Sequence, residues 1–356
     1  MSAKKNGKGI GKWILLGVLV ILLGAVALNW NLIRTVYYNN VDPEKDLSAY
    51  ENWTGGETLR GIPYAGLSDS QYLNLYLPSG VERPQLFVLV HGGGFISNDC
   101  ESRQAKLMIA YFRDHGYACA TVNYRLAQEE PFPAALEDVK AAVRFLKANA
   151  EKYGYNADRV PIWGESAGGY LAVMAGVTAD DEFVSVPFLG EEELAEPVTS
   201  SVQAVVDYYG AVEFQSEEDR NADFKALGIP GWIVTMANSW LKGGPMEGTD
   251  FKTCEDYFIR KHLADLTPEE AQIYMPAYYI RKNLNPDSDL KVLIWHGDMD
   301  ITVPKVHSIR CDALLRETIG DSRVTLQLIP LSKHASERMY TDERLAEIDA
   351  WLKENL

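Results

Sequence analysis

The sequence predicts an α/β fold: a mostly parallel, doubly wound sheet with helices on both faces, an N-terminal transmembrane helix and a lid-like insertion. Three observations carry that reading. Short continuous apolar runs such as Gln85–Val90 (QLFVLV) alternate with amphipathic stretches such as Ala134–Ala150, and strands buried on both faces need crossover helices between them. Residues 13–28 (WILLGVLVILLGAVAL) hold no charge in sixteen positions. Residues 212–285 lack the alternating pattern, and interruptions of that length usually serve as lids or binding loops; the lid-like part is placed at about 212–275.

The N-terminal segment comes first. Its apolar character runs to Ile33, broken only by Asn29 and Asn31. Residues 13–33 in helical form cover about 31 Å, the hydrocarbon thickness of a bilayer. Lys4, Lys5, Lys8 and Lys12 precede the span and Arg34 follows it, so the basic segment 1–12 is expected in the cytoplasm and the body of the chain outside. Ala25-Val26-Ala27 also has the A-x-A form of a signal-peptide site, and the rival reading is secretion after cleavage near Ala27. Residues 34–69 read as a polar juxtamembrane segment. It is expected to hold the domain away from the lipid headgroups.

The catalytic domain is expected over 70–356. Gln71–Leu77 alternates polar and apolar residues, as a half-buried strand does. Tyr117–Tyr124, Val160–Trp163, Ala204–Asp207, Lys291–Trp295 and Val324–Ile329 read as further strands. Ala134–Ala150 and Ala167–Val177 read as helices, and Asp342–Leu356 as the closing one. The insertion carries Trp232 and Trp240.

Composition narrows the function. Of 356 residues, 47% are apolar and 24% charged, which suits a globular chain. Lys+Arg 34 against Asp+Glu 50 leaves a net charge of -16, so nucleic acid and anionic membrane surfaces repel the body. The four cysteines, Cys100, Cys119, Cys254 and Cys311, form no CxxC pair and read as buried free thiols.

Gly164-Glu165-Ser166-Ala167-Gly168 matches G-x-S-x-G between a short strand and a helix. A serine on so tight a turn projects its hydroxyl above the carboxyl end of the sheet. His91-Gly92-Gly93-Gly94 ends another buried strand, and the backbone N–H groups of Gly93 and Gly94, with that of Ala167, suit a developing oxyanion. The phosphate-binding patterns G-x-x-x-x-G-K-[ST] and G-x-G-x-x-G do not occur, and no nucleotide, metal or other cofactor is expected. A serine nucleophile needs a base and the base an orienting acid. Of the six histidines, His334 alone falls between the last strand and the last helix, at the carboxyl edge of the sheet. Asp298 and Asp300, after the strand ending at Trp295, compete for the acid.

These motifs resemble those of the α/β-hydrolases of the hormone-sensitive-lipase and acetyl-esterase group, and of the bacterial feruloyl-esterase-like (BD-FAE-like) carboxylesterases in particular. The likeness spans about 70–356. It rests on His91–Phe95 (HGGGF), Asn123-Tyr124-Arg125-Leu126 with Pro131-Phe132-Pro133-Ala134, and Leu136–Leu146 (LEDVKAAVRFL). It continues through Trp163–Tyr170 (WGESAGGY), Pro276-Ala277-Tyr278-Tyr279-Ile280 and His296–Pro304. The family pattern HGxxDxxVP selects Asp300 over Asp298, and the family histidine falls on His334, though Ala335 follows where glycine is commoner. The order Ser166, Asp300, His334 is that of the fold. The resemblance implies a serine carboxylesterase acting on short acyl or carbohydrate-linked esters through an acyl-enzyme. The alternatives are an amidase or peptidase on the same triad, and a non-catalytic surface-binding protein on a hydrolase fold. The expected partners are a small-molecule or carbohydrate ester and the membrane, through the N-terminal helix.

Overall fold

A computed structural model describes residues 30–215, 217–232 and 246–356. The apolar run QLFVLV forms strand β3 (Gln85–Val90), and its alternate side chains enter different cores. Leu86, Val88 and Val90 face one side of the sheet and Phe87 and Leu89 the other, as period-two geometry demands. Both faces are therefore covered.

Eight strands form one sheet: β1 (Gly56–Pro63), β2 (Tyr72–Pro78), β3, β4 (Tyr117–Val122), β5 (Pro161–Glu165), β6 (Ala204–Tyr208), β7 (Lys291–Gly297) and β8 (Val324–Ile329). Their order is β1-β2-β4-β3-β5-β6-β7-β8. The β1–β2 and β2–β4 pairs are antiparallel and every other pair is parallel. Among the described residues, the helices longer than one turn are α1 (Trp30–Asn40), α2 (Arg103–Asp114), α3 (Ala134–Ala148), α4 (Ala167–Val177), α5 (Glu217–Ala226), α6 (Cys254–Ile259), α7 (Pro276–Asn283), α8 (Val306–Ile319) and α9 (Asp342–Asn355).

Helices α3 and α4 cover one face of the sheet, and α2 and α9 cover the other. In α4 nearly every residue is buried, the mark of a helix enclosed on all sides. The LEDV stretch of α3 is scaffold: buried Asp138 receives the Arg125 guanidinium at 2.8 Å and the Gln71 side-chain amide at 2.6 Å. All four cysteines are buried and free.

Two expectations need correction. The sheet begins upstream of residue 70, because β1 lies inside the supposed juxtamembrane segment and pairs with β2 from Gly56↔Pro78 to Pro63↔Tyr72. The same segment is not a free spacer. α1 and the residues after it lie against the catalytic domain, where Asn39 Nδ2 donates to Met299 O at 2.8 Å and Ser336 Oγ donates to Asp42 at 2.6 Å. Of the expected span, residues 13–29 lie outside the described residues, and Trp30–Ile33 open α1. Among the described residues, no helix is long and apolar enough to cross a membrane.

Candidate active site

β5 ends in Gly164-Glu165 and α4 starts at Ala167, leaving Ser166 alone at the turn. Its backbone sits at φ 55, ψ -119, a strained conformation for a residue with a Cβ. Hydrogen bonds to the adjacent strand and to its own helix hold it there: Ser166 N donates to Tyr208 O at 2.8 Å and Tyr170 N to Ser166 O at 3.0 Å. The turn also needs a close approach. A Cβ on Gly168 would lie 2.2 Å from Val90 O, so any larger residue would push the elbow off the end of β3.

Three of the sequence-predicted side chains meet. His334 Nε2 lies 3.0 Å from Ser166 Oγ, and His334 Nδ1 lies 2.7 Å from Asp300 Oδ2. Asp300 is buried, and its other oxygen accepts from the backbone N–H groups of Thr302 (2.8 Å) and Val303 (3.0 Å). Burial alone would raise its pKa; His334 and His296 outweigh that and hold it well below the usual carboxylate range. For His334, burial disfavours the charged ring, but Asp300 first and Glu165 next outweigh it, raising the pKa above the ordinary 6.5. Asp298 is not part of this cluster. It accepts from Leu331 N at 2.6 Å and faces Arg34 at 3.8 Å, so it ties the ends of β7 and β8 together.

The glycine turn flanks Ser166. Gly93 takes φ +114, open to glycine alone, and a Cβ there would lie 2.1 Å from Ser97 O. Gly93 O accepts from the N–H groups of Ile96 and Ser97. Among the described residues, nothing accepts from the N–H of Gly93 or Gly94. These two glycines and Ala167 line the same cleft as Ser166 and His334.

That cleft holds about 280 Å³, just under the range of drug-sized pockets. Of its lining residues, Glu165, Arg220, Cys254 and Glu255 showed no sign of a role in the sequence pattern, and His296, behind Asp300, was visible only as the first residue of HGxxDxxVP. Glu165, the variable position of the elbow, is buried and accepts from Gly92 N at 2.9 Å. Its pKa is raised by burial, against the pull of that N–H and of His334. His296 sits 3.4 Å from Asp300 Oδ2, with its ring nitrogens against Ser308 Oγ (2.7 Å) and Val303 O (3.0 Å). Arg220 at α5 and Cys254 and Glu255 at α6 line the cleft from the insertion. Trp232 is 63% exposed, and Trp240 lies outside the described residues.

Proteins similar to this chain include esterases. The chain is 30% identical over 219 residues to "Esterase LipC" of Mycobacterium tuberculosis, covering 62% of this chain and 45% of that one. It is 29% identical over 168 residues to "Hormone-sensitive lipase" of Ictidomys tridecemlineatus, covering 42% of this chain and 22% of that one. The chain thus spans about half, or less, of the curated relatives it matches. Among solved structures, a truncated carbohydrate esterase from gut microbiota superposes with a TM-score of 0.65 at 23% identity, over 88% of this chain and 99% of that one. The propionate-bound Est2 esterase of Thermogutta terrifontis gives 0.57 at 19% identity, over 85% and 94%; both likenesses are of fold. The BD-FAE family matches residues 73–315, a stretch that holds the glycine turn, the elbow and Asp300, and the chain belongs to that family of α/β-hydrolases, within the hormone-sensitive-lipase group.

Proposed function

We propose that this chain is a serine carboxylesterase that cleaves short-chain acyl or carbohydrate-linked esters. The observation that carries the proposal is the continuous contact from Ser166 Oγ through His334 to Asp300, beside backbone donors in a small cleft. In the proposed reaction Ser166 Oγ attacks the ester carbonyl as its proton passes to His334 Nε2. Asp300 holds the Nδ1–H and stabilises the charged ring. The carbonyl oxygen becomes an oxyanion facing the N–H groups of Gly93, Gly94 and Ala167, and one such donor is worth about 3–4 kcal/mol. Collapse breaks the ester C–O bond, and the alcohol leaves with the proton from His334. Water, deprotonated by His334, then frees the acid from the acyl-enzyme.

Short acyl chains are favoured by the cleft's size, and carbohydrate-linked esters by the carbohydrate esterase among the structural neighbours. The insertion gives the cleft Arg220, Cys254 and Glu255, and in this reading it sets specificity. The apolar run 13–33 is proposed as an uncleaved span with the catalytic domain outside the cytoplasm, supported by the flanking lysines.

The test is labelling by a fluorophosphonate probe and hydrolysis of nitrophenyl acetate. Ser166→Ala is expected to abolish labelling and to lower turnover about 10⁴–10⁶-fold with the fold intact. Activity within tenfold of the parent would sink the assignment.

A further inference from the structure

The stretch leading into the catalytic domain holds both loops that carry the partners of Ser166. On the acid loop, α1 meets the residue before Asp300: buried Thr35 turns its hydroxyl to Met299 Sδ (3.6 Å), and Asn39 Nδ2 donates to Met299 O (2.8 Å). On the histidine loop, Asp42 accepts from Ser336 Oγ at 2.6 Å and from Glu337 N at 2.9 Å, two and three residues after His334. Lys45 N and the Arg103 guanidinium both donate to the Glu337 carboxylate, and Arg103 Nη2 also reaches Lys45 O at 2.7 Å. Ser336 is fully buried.

These contacts are polar and specific, and apolar packing does not explain them. The outward side of this stretch carries Ile33, Val36, Tyr37 and Val41, exposed at 42%, 38%, 54% and 44%. Most of its apolar residues point away from the domain, Tyr38 excepted, which lies under the Arg338 guanidinium, while its polar ones grip it. The histidine loop it grips is itself conformationally costly, with Leu331 at φ 58 and Ala335 at φ 54. Non-glycine residues in that region need external restraint.

We propose that residues 34–45 form a clasp that fixes the Asp300 loop against the His334 loop, and that Asn39 and Asp42 are positioning residues for ester hydrolysis. The inference rests on the Ser166–His334–Asp300 reading of the site. Asn39 fixes where Asp300 starts and Asp42 fixes where the histidine loop ends. Between them lies the 2.7 Å contact that aligns the imidazole. A shift of about 1 Å in such a contact can cost about 10²-fold in rate.

The experiment uses the full chain in detergent and counts competent sites with the fluorophosphonate probe. For Asp42→Ala and, separately, Asn39→Ala, kcat per labelled site for nitrophenyl acetate is expected to fall about tenfold, with KM within about twofold. The acid limb of kcat/KM is expected to move to lower pH, because a looser Asp300 raises the His334 pKa less. Asp42→Asn keeps an acceptor oxygen for only one of the two donors, Ser336 Oγ or Glu337 N, and is expected to recover part of the rate. Two results would overturn the clasp alone: unchanged kcat per site with an unchanged acid limb, or rate lost only in proportion to labelled sites. A parent protein that takes no label would overturn the serine-hydrolase reading and the clasp with it.

Discussion

Asp298 and Asp300 stand two positions apart on one loop, yet their surroundings give them different work. Asp300 faces His334 at 2.7 Å, whereas Asp298 accepts from Leu331 N. Asp300→Asn is expected to lower turnover about 10⁴-fold, because an amide favours the wrong imidazole tautomer. Asp298→Asn, measured alongside, is expected to cost far less, and the reverse ranking would move the acid to Asp298. The pH profile follows from His334. In the proposed mechanism its neutral ring is the base, and its pKa is raised above 6.5, so kcat/KM should fall as pH drops through a midpoint above 6.5. A midpoint below 6.5 would contradict the direction of the shift. Ser166 and His334 were legible because each occupies a place that only the chemistry explains: a serine on a strand-to-helix elbow, a histidine between the last strand and helix. Glu165 was not, because the variable position of an elbow carries no sign of whether its side chain faces the site or the scaffold. Asp300 needed the family pattern, since nothing in the local residues separates it from Asp298.

Among elements, legibility tracked burial. β3 and α4 have the expected limits because each buries a continuous apolar or small-residue run, whereas β8 keeps its limits as an edge strand with only Val324 and Ile329 buried. β1 was missed for the opposite reason. It is an edge strand, mostly exposed (GETLRGIP), and shows no alternation to read. α5 and α6 were also invisible, being short and set in a stretch without period. Their effect on the cleft can be measured. Arg220→Ala is expected to change the ratio of kcat/KM between acetyl and bulky esters about tenfold, a contact of roughly 1.4 kcal/mol. Trp232 is 63% exposed, so Trp232→Ala should cost about 0.5 kcal/mol or less in a melting experiment. A loss of stability without any change in the ester ratio, for both variants, would assign the insertion to the scaffold.

For the molecule as a whole, the proposed span over 13–33 is the feature whose fate decides where the enzyme works. Cells expressing the full chain are expected to hold the enzyme in the membrane fraction with an intact N-terminus, since a helix of this length is effectively irreversible in its insertion. A soluble chain starting at Leu28 would overturn the span and leave the esterase reading untouched. The docking of α1 then changes how such an enzyme meets its substrate. A free leash of 36 residues, 34–69, would let the domain range about 33 Å from the bilayer. With Asn39 and Asp42 already fixed to the domain, almost no slack would separate the end of the proposed span at Ile33 from the body. If the proposed span anchors the chain, the search for substrate becomes nearly two-dimensional, confined to a thin layer over the lipid. Esters held at the cell surface would then meet the enzyme at a high effective concentration, whereas dilute esters in the surrounding medium would meet it only when they reach that layer.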